Sequence, residues 1–169
     1  EINTIRKRLS AVKGGRFALH CRPASVFSVV LSDIIGDPLD MIASGPAAPD
    51  SSTCAEALAI AQKYGLRLSD GALACLRTET PKTLPNAVSR VTGSVRALRD
   101  AAEQAAQALG YRCIRLTDCL NCEAREAGRF LAAVARTHAS PSEPLAFLAG
   151  GETVVHLTGA GRGGRNQEL

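Results

Sequence analysis

The sequence has few aromatic residues, and this scarcity limits how a core can be built. Tryptophan is absent, and aromatic residues make up only 4% of the 169 positions. The hydrophobic 46% therefore consists mainly of alanine, leucine, valine and isoleucine, a composition that suits helices packed against a parallel sheet. Because 21% of the residues are charged and nearly half are apolar, we expect a folded domain and not a disordered chain.

Long apolar runs and runs of like charge are also missing. The longest apolar stretches, such as 26–30 and 130–135, are far shorter than the roughly 18 to 20 residues of a membrane-spanning helix. We therefore predict no membrane partner. The formal net charge of +4 comes mainly from scattered arginines, so the sequence favours an anionic small molecule over a nucleic acid as partner.

The six cysteines do not indicate a disulfide-bonded secreted domain, because the chain is neither short nor dense in cysteine. No signal-peptide pattern precedes them, and we predict reduced thiols in a cytoplasmic protein. Cys119 and Cys122 form a single close pair, but no histidine has ligand spacing to it, so a structural zinc site is not expected. The chain begins without methionine and stops after a glycine-rich motif, which predicts an internal segment of a longer protein.

Alternating strand and helix patterns predict an α/β fold. The valine-rich segment 24–31 predicts a strand buried on both faces, and 87–148 has a β-α-β-α-β pattern, which implies a mainly parallel sheet with right-handed crossovers. We expect a three-layer α/β/α, Rossmann-like sheet over residues 1–149 and the start of a second α/β domain at 150–169. The predicted elements are helix 2–12 with Ile2, Ile5, Leu9 and Val12 on one face, strand 24–31, a helix capped by Ser51 or Ser52 and reaching 64, helices 69–76, 94–109 and 122–137, and strands 87–91, 111–116, 145–148 and 153–157.

Two carboxylates follow the first predicted strand. Ligands of open α/β sheets bind at the carboxyl ends of strands, so Asp33 and Asp37 are candidate metal ligands and Asp33 is a candidate general base. The alternative is that either aspartate only caps the loop by bonding to its backbone. The segment 37–52, rich in proline, glycine and serine, predicts a functional loop.

The glycine- and arginine-rich segment 159–168 predicts an anion site. Its glycines allow close backbone approach, and its arginines provide forked donors for phosphate or carboxylate oxygens. The candidate binding residues are Arg162, Gly163, Gly164, Arg165 and Asn166. A flexible linker is the alternative. Gly159, Gly161 and Gly164 also have the glycine spacing of a dinucleotide-binding loop, a weak match without its other elements.

Two shorter glycine motifs are further candidates. Gly150 and Gly151 at the end of strand 145–148 could expose backbone N–H groups beside Glu152, a potential metal ligand, and an interdomain hinge is an equal alternative. Lys13, Gly14 and Gly15 could bind a phosphate or carboxylate, whereas a helix C-cap explains the same residues almost as well.

These segments occur in the order seen in one known family. Together they resemble the glycerate 2-kinase family that ends in a MOFRL domain, and the resemblance spans the whole chain. The segments that carry the resemblance are IRKRLSAVKGG at 5–15, SDIIGD at 32–37, IASGP at 42–46, PDSST at 49–53, AGGET at 149–153 and GRGGRNQEL at 161–169.

The resemblance implies phosphorylation of D-glycerate to 2-phosphoglycerate with ATP and Mg2+, a reaction that depends on positioning and charge neutralisation. It implies that Asp33 is a base or a metal-associated group, that Arg165 is a catalytic clamp, and that Ser44, Gly45 and Gly151 line the site. The implied partners are D-glycerate and a nucleotide, with a homodimer as an option.

Two departures from the family pattern limit what is implied. The family's upstream Gly-Lys-Ala segment and most of its C-terminal domain are absent from this chain, so we expect the segment alone to be inactive. Residues 116–122 also contain two cysteines where the family leads us to expect a smaller, more acidic turn. The rival hypotheses are an NAD(P)H-dependent hydroxypyruvate reductase and a non-catalytic sugar-acid-binding module.

Overall fold

A computed structural model of the protein describes residues 1–139 and 142–169. Its contacts divide the chain into two compact units, the first formed by 1–32 and 37–92 and the second by 33–36 and 93–169. The alternation of helices with parallel strands confirms the predicted α/β class. The helices are α1 (Ile2–Leu9), α2 (Arg16–His20), α3 (Cys54–Lys63), α4 (Asp70–Leu76), α5 (Val95–Ala108), α6 (Ala124–Thr137) and α7 (Arg165–Glu168), and the strands are β1 (Val26–Leu31), β2 (Ala87–Gly93), β3 (Arg112–Leu120) and β4 (Leu145–Gly151).

The first unit contains a two-stranded sheet of β1 and β2. At the start of β1 the Val26 N–H donates to the Asn86 carbonyl, just before β2, and near the ends of both strands the Thr92 hydroxyl donates to the Val30 carbonyl. Because the start of β1 lies beside the start of β2 and the end beside the end, the two strands are parallel. The prediction that β1 is buried on both faces is wrong. Alternate residues of β1 are exposed, with Phe27 at 79%, because only one face of this pair of strands packs against described elements.

The helices of the first unit pack around small apolar residues. Ala57, Ala61 and Leu76 form their buried cluster, with Ile5 against it. The predicted N-cap of α3 was Ser51 or Ser52, but the structure places it at Thr53. This residue forms a capping box with Glu56, in which each side chain bonds to the backbone N–H of the other, and the two bonds satisfy donors that the helix start leaves free.

Helix α1 is rotated relative to its predicted orientation. The apolar residues at helical spacing predicted that Ile2 and Leu9 face inward, but Ile2 is 74% exposed and Leu9 is also exposed. The buried residues are Thr4, Lys7 and Arg8. Polar contacts, described below, therefore determine which side of this helix faces the protein interior.

The second unit is built on the parallel pair β3 and β4, against which α5 packs. Strand β3 continues past its predicted end at 116 to Leu120, with irregular register after Arg115 and after Thr117. The predicted strand 153–157 does not form, since only an isolated bridge joins Val154 to Glu123. The division between domains 1–149 and 150–169 concerns a longer protein and stays a prediction.

Two global sequence predictions can be compared with the structure. All six cysteines are free, in agreement with the predicted reduced thiols. The longest helices have 14 residues, and no helix among residues 1–139 and 142–169 has the length and apolar character to cross a bilayer.

Candidate functional site

Two predicted motifs that are far apart in sequence meet in the first unit. The Gly14 N–H donates to the Ser44 carbonyl at 2.9 Å, and the Gly15 N–H donates to the Gly45 carbonyl at 2.7 Å. The Lys13 ammonium donates to the Ala43 carbonyl at 3.0 Å, across 30 residues of sequence. The structure thus brings the Lys13–Gly15 motif and the Ser44–Gly45 motif together along one backbone seam.

The turn on the far side of this seam has an unusual backbone. Ala43, Ser44 and Gly45 all have left-handed φ angles, of 51°, 61° and 59°. For residues other than glycine this conformation costs roughly 1–2 kcal/mol each, and it persists only where surrounding contacts hold it. A side chain at Gly45 would lie 2.9 Å from the Asp40 backbone, so the turn also requires glycine for space.

The contacts of the seam constrain how its residues could bind a ligand. The N–H groups of Gly14 and Gly15 already donate to carbonyls of the turn, and the Ser44 hydroxyl is buried and donates to Asn3 Oδ1 at 3.1 Å. Their most direct role in this structure is to fix the shape of the turn. Binding of substrate or phosphate by Lys13, Gly14, Gly15, Ser44 and Gly45 stays a prediction.

A buried ionic cluster lies next to the seam, and sequence reasoning missed it. The Lys7 side chain is 0% exposed, and its ammonium contacts Asp50 Oδ1 at 2.7 Å and Asp40 Oδ2 at 3.0 Å. The Asp50 carboxylate, itself 0% exposed, also accepts from Thr80 Oγ1 at 2.7 Å and from the hydroxyl and N–H of Ser52. The donors to Asp50 therefore come from its own segment, through Ser52, and from two distant segments, through Lys7 and Thr80.

Arg8 extends this cluster towards helix α3. Its guanidinium donates to the Ser52 hydroxyl and carbonyl and reaches Glu79 at 3.3 Å. Glu79 in turn accepts from the Cys54 N–H at the start of α3 and pairs with Lys82 at 3.0 Å. In the sequence the basic residues of α1 looked like ordinary complements to the helix dipole, and nothing in their spacing indicated burial.

The cluster shifts the protonation of its acids. Burial alone would raise the pKa of Asp50, but hydrogen bonds from Lys7, Thr80 and Ser52 outweigh it and hold that pKa far below its ordinary value. The N–H of Cys54, followed by Lys82, lowers the pKa of Glu79 to about 2. Both carboxylates are therefore ionised across the neutral and mildly acidic range.

Acid is expected to destabilise the protein through these two groups. A folded-state pKa below the unfolded one means that the stabilisation is complete above the unfolded value and is lost as the pH falls through the folded value. For Glu79 this window runs from 4.5 down to about 2. Urea unfolding between pH 7 and 3 should show a falling midpoint below about pH 4.5, with a shallower fall in Glu79→Gln; equal slopes would contradict the assignment.

In the second unit, residues of two further predicted motifs line one cavity of about 410 Å3. Glu152 and Arg165 form an ion pair in it, with Arg99 also in its wall. The predicted site residues that line the cavity are Gly150, Gly151, Glu152, Arg165 and Asn166. The cavity therefore combines donors for an anion with backbone at the carboxyl end of a parallel strand, where ligands of such sheets bind.

The glycines at the end of β4 have a packing reason. Gly151 has a φ of 153°, and a side chain there would overlap the backbone of Leu120. A side chain at Gly150 would lie 2.6 Å from Val95 Cγ1. The close approach of β4 to β3 and α5 therefore favours glycine at both positions, and the hinge and binding roles stay predictions.

Asp118 is a carboxylate of the second unit that sequence reasoning did not identify as a candidate site residue. It accepts from Arg96 Nε at 3.1 Å and from Arg99 Nη1 at 3.0 Å, and the hydrogen bond from Arg96 lowers its pKa. The segment 116–122 was interpreted as a turn, but β3 continues through Asp118. A longer strand therefore places this aspartate beside Gly150 at the end of the neighbouring strand.

The three predicted metal ligands are divided between the two units, and metal binding by them stays a prediction. Asp37 belongs to the first unit and is half-buried with a φ of 54°, whereas Asp33 is exposed and belongs with Glu152 to the second. Over residues 1–139 and 142–169, no group of three or more His, Cys, Asp or Glu side chains could hold a metal ion. Arg162, Gly163 and Gly164 are exposed and lead into α7.

The fold and the site define an α/β protein whose glycine motifs lie at strand ends and beside a strained turn. Residues 1–77 match the family model described as "Domain of unknown function (DUF4147)". The chain is 50% identical to the D-glycerate 2-kinase of Thermotoga maritima over 173 residues, covering 100% of this chain and 42% of that protein. It is 40% identical over 183 residues to a putative hydroxypyruvate reductase of Agrobacterium vitis, covering 100% of this chain and 41% of that protein.

The structural comparison agrees with the sequence comparison. The crystal structure of glycerate kinase from Thermotoga maritima matches with a TM-score of 0.81 at 49% identity, over 99% of this chain and 41% of that one. Over its whole length the chain is therefore similar to proteins named glycerate kinase or putative hydroxypyruvate reductase. It spans about two fifths of the length of these relatives.

Proposed function

We propose that the protein containing this chain is a D-glycerate 2-kinase, which transfers the γ-phosphoryl group of ATP to the 2-hydroxyl of D-glycerate. The observation that carries the proposal is the 50% identity, over the whole chain, to a protein of that name. The glycine and arginine motifs support it, because phosphoryl transfer depends on positioned donors around anionic oxygens more than on covalent chemistry.

In this proposal Arg165 is the group that neutralises charge. Its guanidinium now pairs with Glu152 in the cavity of the second unit, and an incoming phosphate or carboxylate would replace that partner through two parallel N–H donors. Asn166 and the backbone of Gly163 and Gly164 would add neutral donors. Gly150 and Gly151 would allow the ligand to lie close to the strand end, since they carry no side chain.

The proposed general base is Asp33. It is exposed at the carboxyl end of β1, and its carboxylate would accept the proton of the glycerate 2-hydroxyl as that oxygen attacks the γ-phosphorus. The bond from phosphorus to the β,γ-bridging oxygen breaks, and ADP leaves with the electron pair. The residue therefore needs access to solvent and substrate, which its position allows.

The described residues do not by themselves fit a magnesium site, because Glu152 pairs with Arg165 and no three acids converge. We therefore propose that Mg2+ enters bound to the phosphates of ATP, where it needs few protein ligands. Asp33 or Asp37 would contact it at most singly. No step of the reaction is assigned to the ion.

Several further properties follow from the proposal. The partners are a small sugar acid and a nucleotide, in a cytoplasmic protein for which a homodimer is an option. The proposed domains of the longer protein are 1–149 and 150–169. We expect residues 1–169 to be inactive by themselves.

One series of assays on the full-length protein tests the proposal. With D-glycerate, ATP and Mg2+, mass spectrometry should detect 2-phosphoglycerate, and calorimetry should detect binding of a non-hydrolysable ATP analogue that requires Mg2+. With hydroxypyruvate and NADPH no oxidation of NADPH is expected. The reverse pattern would replace the kinase by the reductase, and silence in both arms would favour a sugar-acid-binding module.

The reductase is the second candidate because a relative carries that name at 40% identity. Its dinucleotide-loop argument used Gly159, Gly161 and Gly164 after a strand. The strand predicted before those glycines is reduced to an isolated bridge at Val154. The structural context that a dinucleotide loop needs is therefore missing from the described residues of 142–169, and the kinase is the better supported proposal.

A further inference from the structure

The buried lysine of α1 contacts both ends of the segment that contains the strained turn. Lys7 Nζ bonds to Asp40, which precedes the turn, and to Asp50, which follows it. Between them lie Ala43, Ser44 and Gly45 in left-handed conformation. One ammonium group thus closes the segment 40–50 into a loop whose tip is the strained turn.

We propose that Lys7 is a positioning residue that holds the turn 43–45 in the shape needed to bind substrate. The proposal rests on the glycerate kinase function proposed above and deepens it. Lys7 does not touch the substrate in this proposal; it acts through Asp40 and Asp50 on the backbone of the turn.

The contact of Lys7 with Asp50 belongs to the buried interior, whereas its contact with Asp40 acts on the turn. Asp50 also accepts buried hydrogen bonds from Thr80 and Ser52. Its contact with Lys7 is therefore part of a buried network in which both charged groups have partners. The Asp40 side chain is 15% exposed and also accepts from Ser51 at 2.8 Å, so burial does not require this second contact. Its effect is local, because the Asp40 backbone lies directly against Gly45.

The opposite side of the turn is held by the same stretch of chain. Shortly after Lys7, the residues Lys13, Gly14 and Gly15 donate to the three carbonyls of the turn. Arg16 fixes the path between these two anchors by donating to the carbonyls of Lys7 at 2.6 Å and Ser10 at 3.0 Å. Residues 7–16 therefore form a clamp with a charged end and a backbone end.

A lysine suits this task better than an arginine. Its compact ammonium presents three donors that can serve two carboxylates from different directions, whereas a guanidinium is planar and pairs best with one carboxylate face. Because Lys7 is wholly buried, solvent does not screen its contacts. Removal of the Asp40 contact should therefore loosen the turn and leave the Lys7–Asp50 pair intact.

The test uses Asp40→Ala and Asp40→Asn in the full-length protein, with Glu143→Gln as control. The control removes an exposed ion pair with Arg112, 2.7 Å long, in the second unit. In Asp40→Ala, hydrogen exchange of the amides at 14, 15, 44 and 45 should be about tenfold faster or more. The value of kcat/KM for D-glycerate should fall by about 100-fold, with affinity for the ATP analogue unchanged and a smaller fall in the urea midpoint than in Asp50→Asn.

Asparagine keeps an acceptor oxygen, so Asp40→Asn should recover part of both losses, as a positioning role requires. Unchanged exchange in Asp40→Ala, or faster exchange with unchanged kcat/KM for D-glycerate, would overturn the proposal. A wild-type protein without glycerate phosphorylation would instead overturn the proposed function, and the exchange rates would still decide whether Asp40 and Lys7 hold the turn.

Discussion

Replacing Asp50 by asparagine is expected to lower the free energy of unfolding by about 3 to 5 kcal/mol, because two buried cations lose the fully buried carboxylate that lies next to both of them. Asp50 is 1% exposed and lies 2.7 Å from the Lys7 ammonium and 3.5 Å from Arg8. Asparagine has nearly the same volume, so the loss reports charge and not packing. Guanidinium-induced unfolding of the full-length protein, followed by circular dichroism, measures it.

The matched control is Asp70→Asn, the same substitution at an exposed site in the first turn of α4. There the loss should stay below about 1 kcal/mol, the size of a favourable charge at a helix start. Because Lys7 and Asp50 share one contact, the double variant Lys7→Met/Asp50→Asn should lose less than the sum of the two single losses. Additive losses, or a loss at Asp50 no larger than at Asp70, would show that the pair is not coupled.

Arg165→Ala should reduce the proposed glycerate kinase activity by about 10² to 10³-fold in kcat/KM, the usual effect of removing one donor to developing charge. In the structure Arg165 lies in the wall of a cavity and holds Glu152, so its removal also leaves that acid facing an incoming anion. Phosphorylation of D-glycerate, measured on the full-length protein, provides the readout.

Arg129→Ala is the control for this prediction, because Arg129 is 70% exposed on α6 and pairs only locally with Glu126, at 2.8 Å. It should leave kcat/KM within about twofold of wild type, as expected for an exposed ion pair of small energy. Arg165→Lys should recover little, since an ammonium cannot replace a bidentate fork. Equal activity of Arg165→Ala and Arg129→Ala would remove Arg165 from the site.

Local signals predicted most of the helices and strands. The predicted helices 69–76 and 94–109 form as α4 and α5, with Ser69 and Ser94 as their N-caps, because a serine before an apolar periodic run satisfies N–H groups within its own turn. Such information lies within a few residues of sequence. The end of β3 was misjudged because the polar residues and cysteines near Asp118 look like a turn, whereas pairing with β4 extends the strand.

The orientation of α1 and the ionic cluster could not be predicted in the same way. The inward face of a helix is usually its apolar face, yet Thr4, Lys7 and Arg8 are the buried residues here. In the sequence Lys7 and its partner Asp50 are 43 residues apart, and Asp50 and its partner Thr80 are 30 residues apart. Only the folded chain brings them together, so a single sequence gives no sign of the pairing.

The candidate site was predicted as separate motifs, and the structure adds their grouping. The seam joins Gly14 and Gly15 to Ser44 and Gly45 through backbone bonds, a relationship that composition cannot encode. The interpretation of the glycines at 150 and 151 as a hinge or a binding loop stays a prediction, and their neighbours at Val95 and Leu120 add a packing reason for glycine there.

The exposed face of β1 affects how residues 1–169 would behave in a test tube. Phe27, Val29 and Leu31 are each more than three quarters exposed, along a strand that pairs with β2 and with no other strand of residues 1–139 and 142–169. Such a surface favours self-association in water, since it combines an exposed strand edge with exposed apolar side chains. We expect this segment alone to aggregate as its concentration rises. Loss of protein by aggregation would then have to be distinguished from a defect in folding.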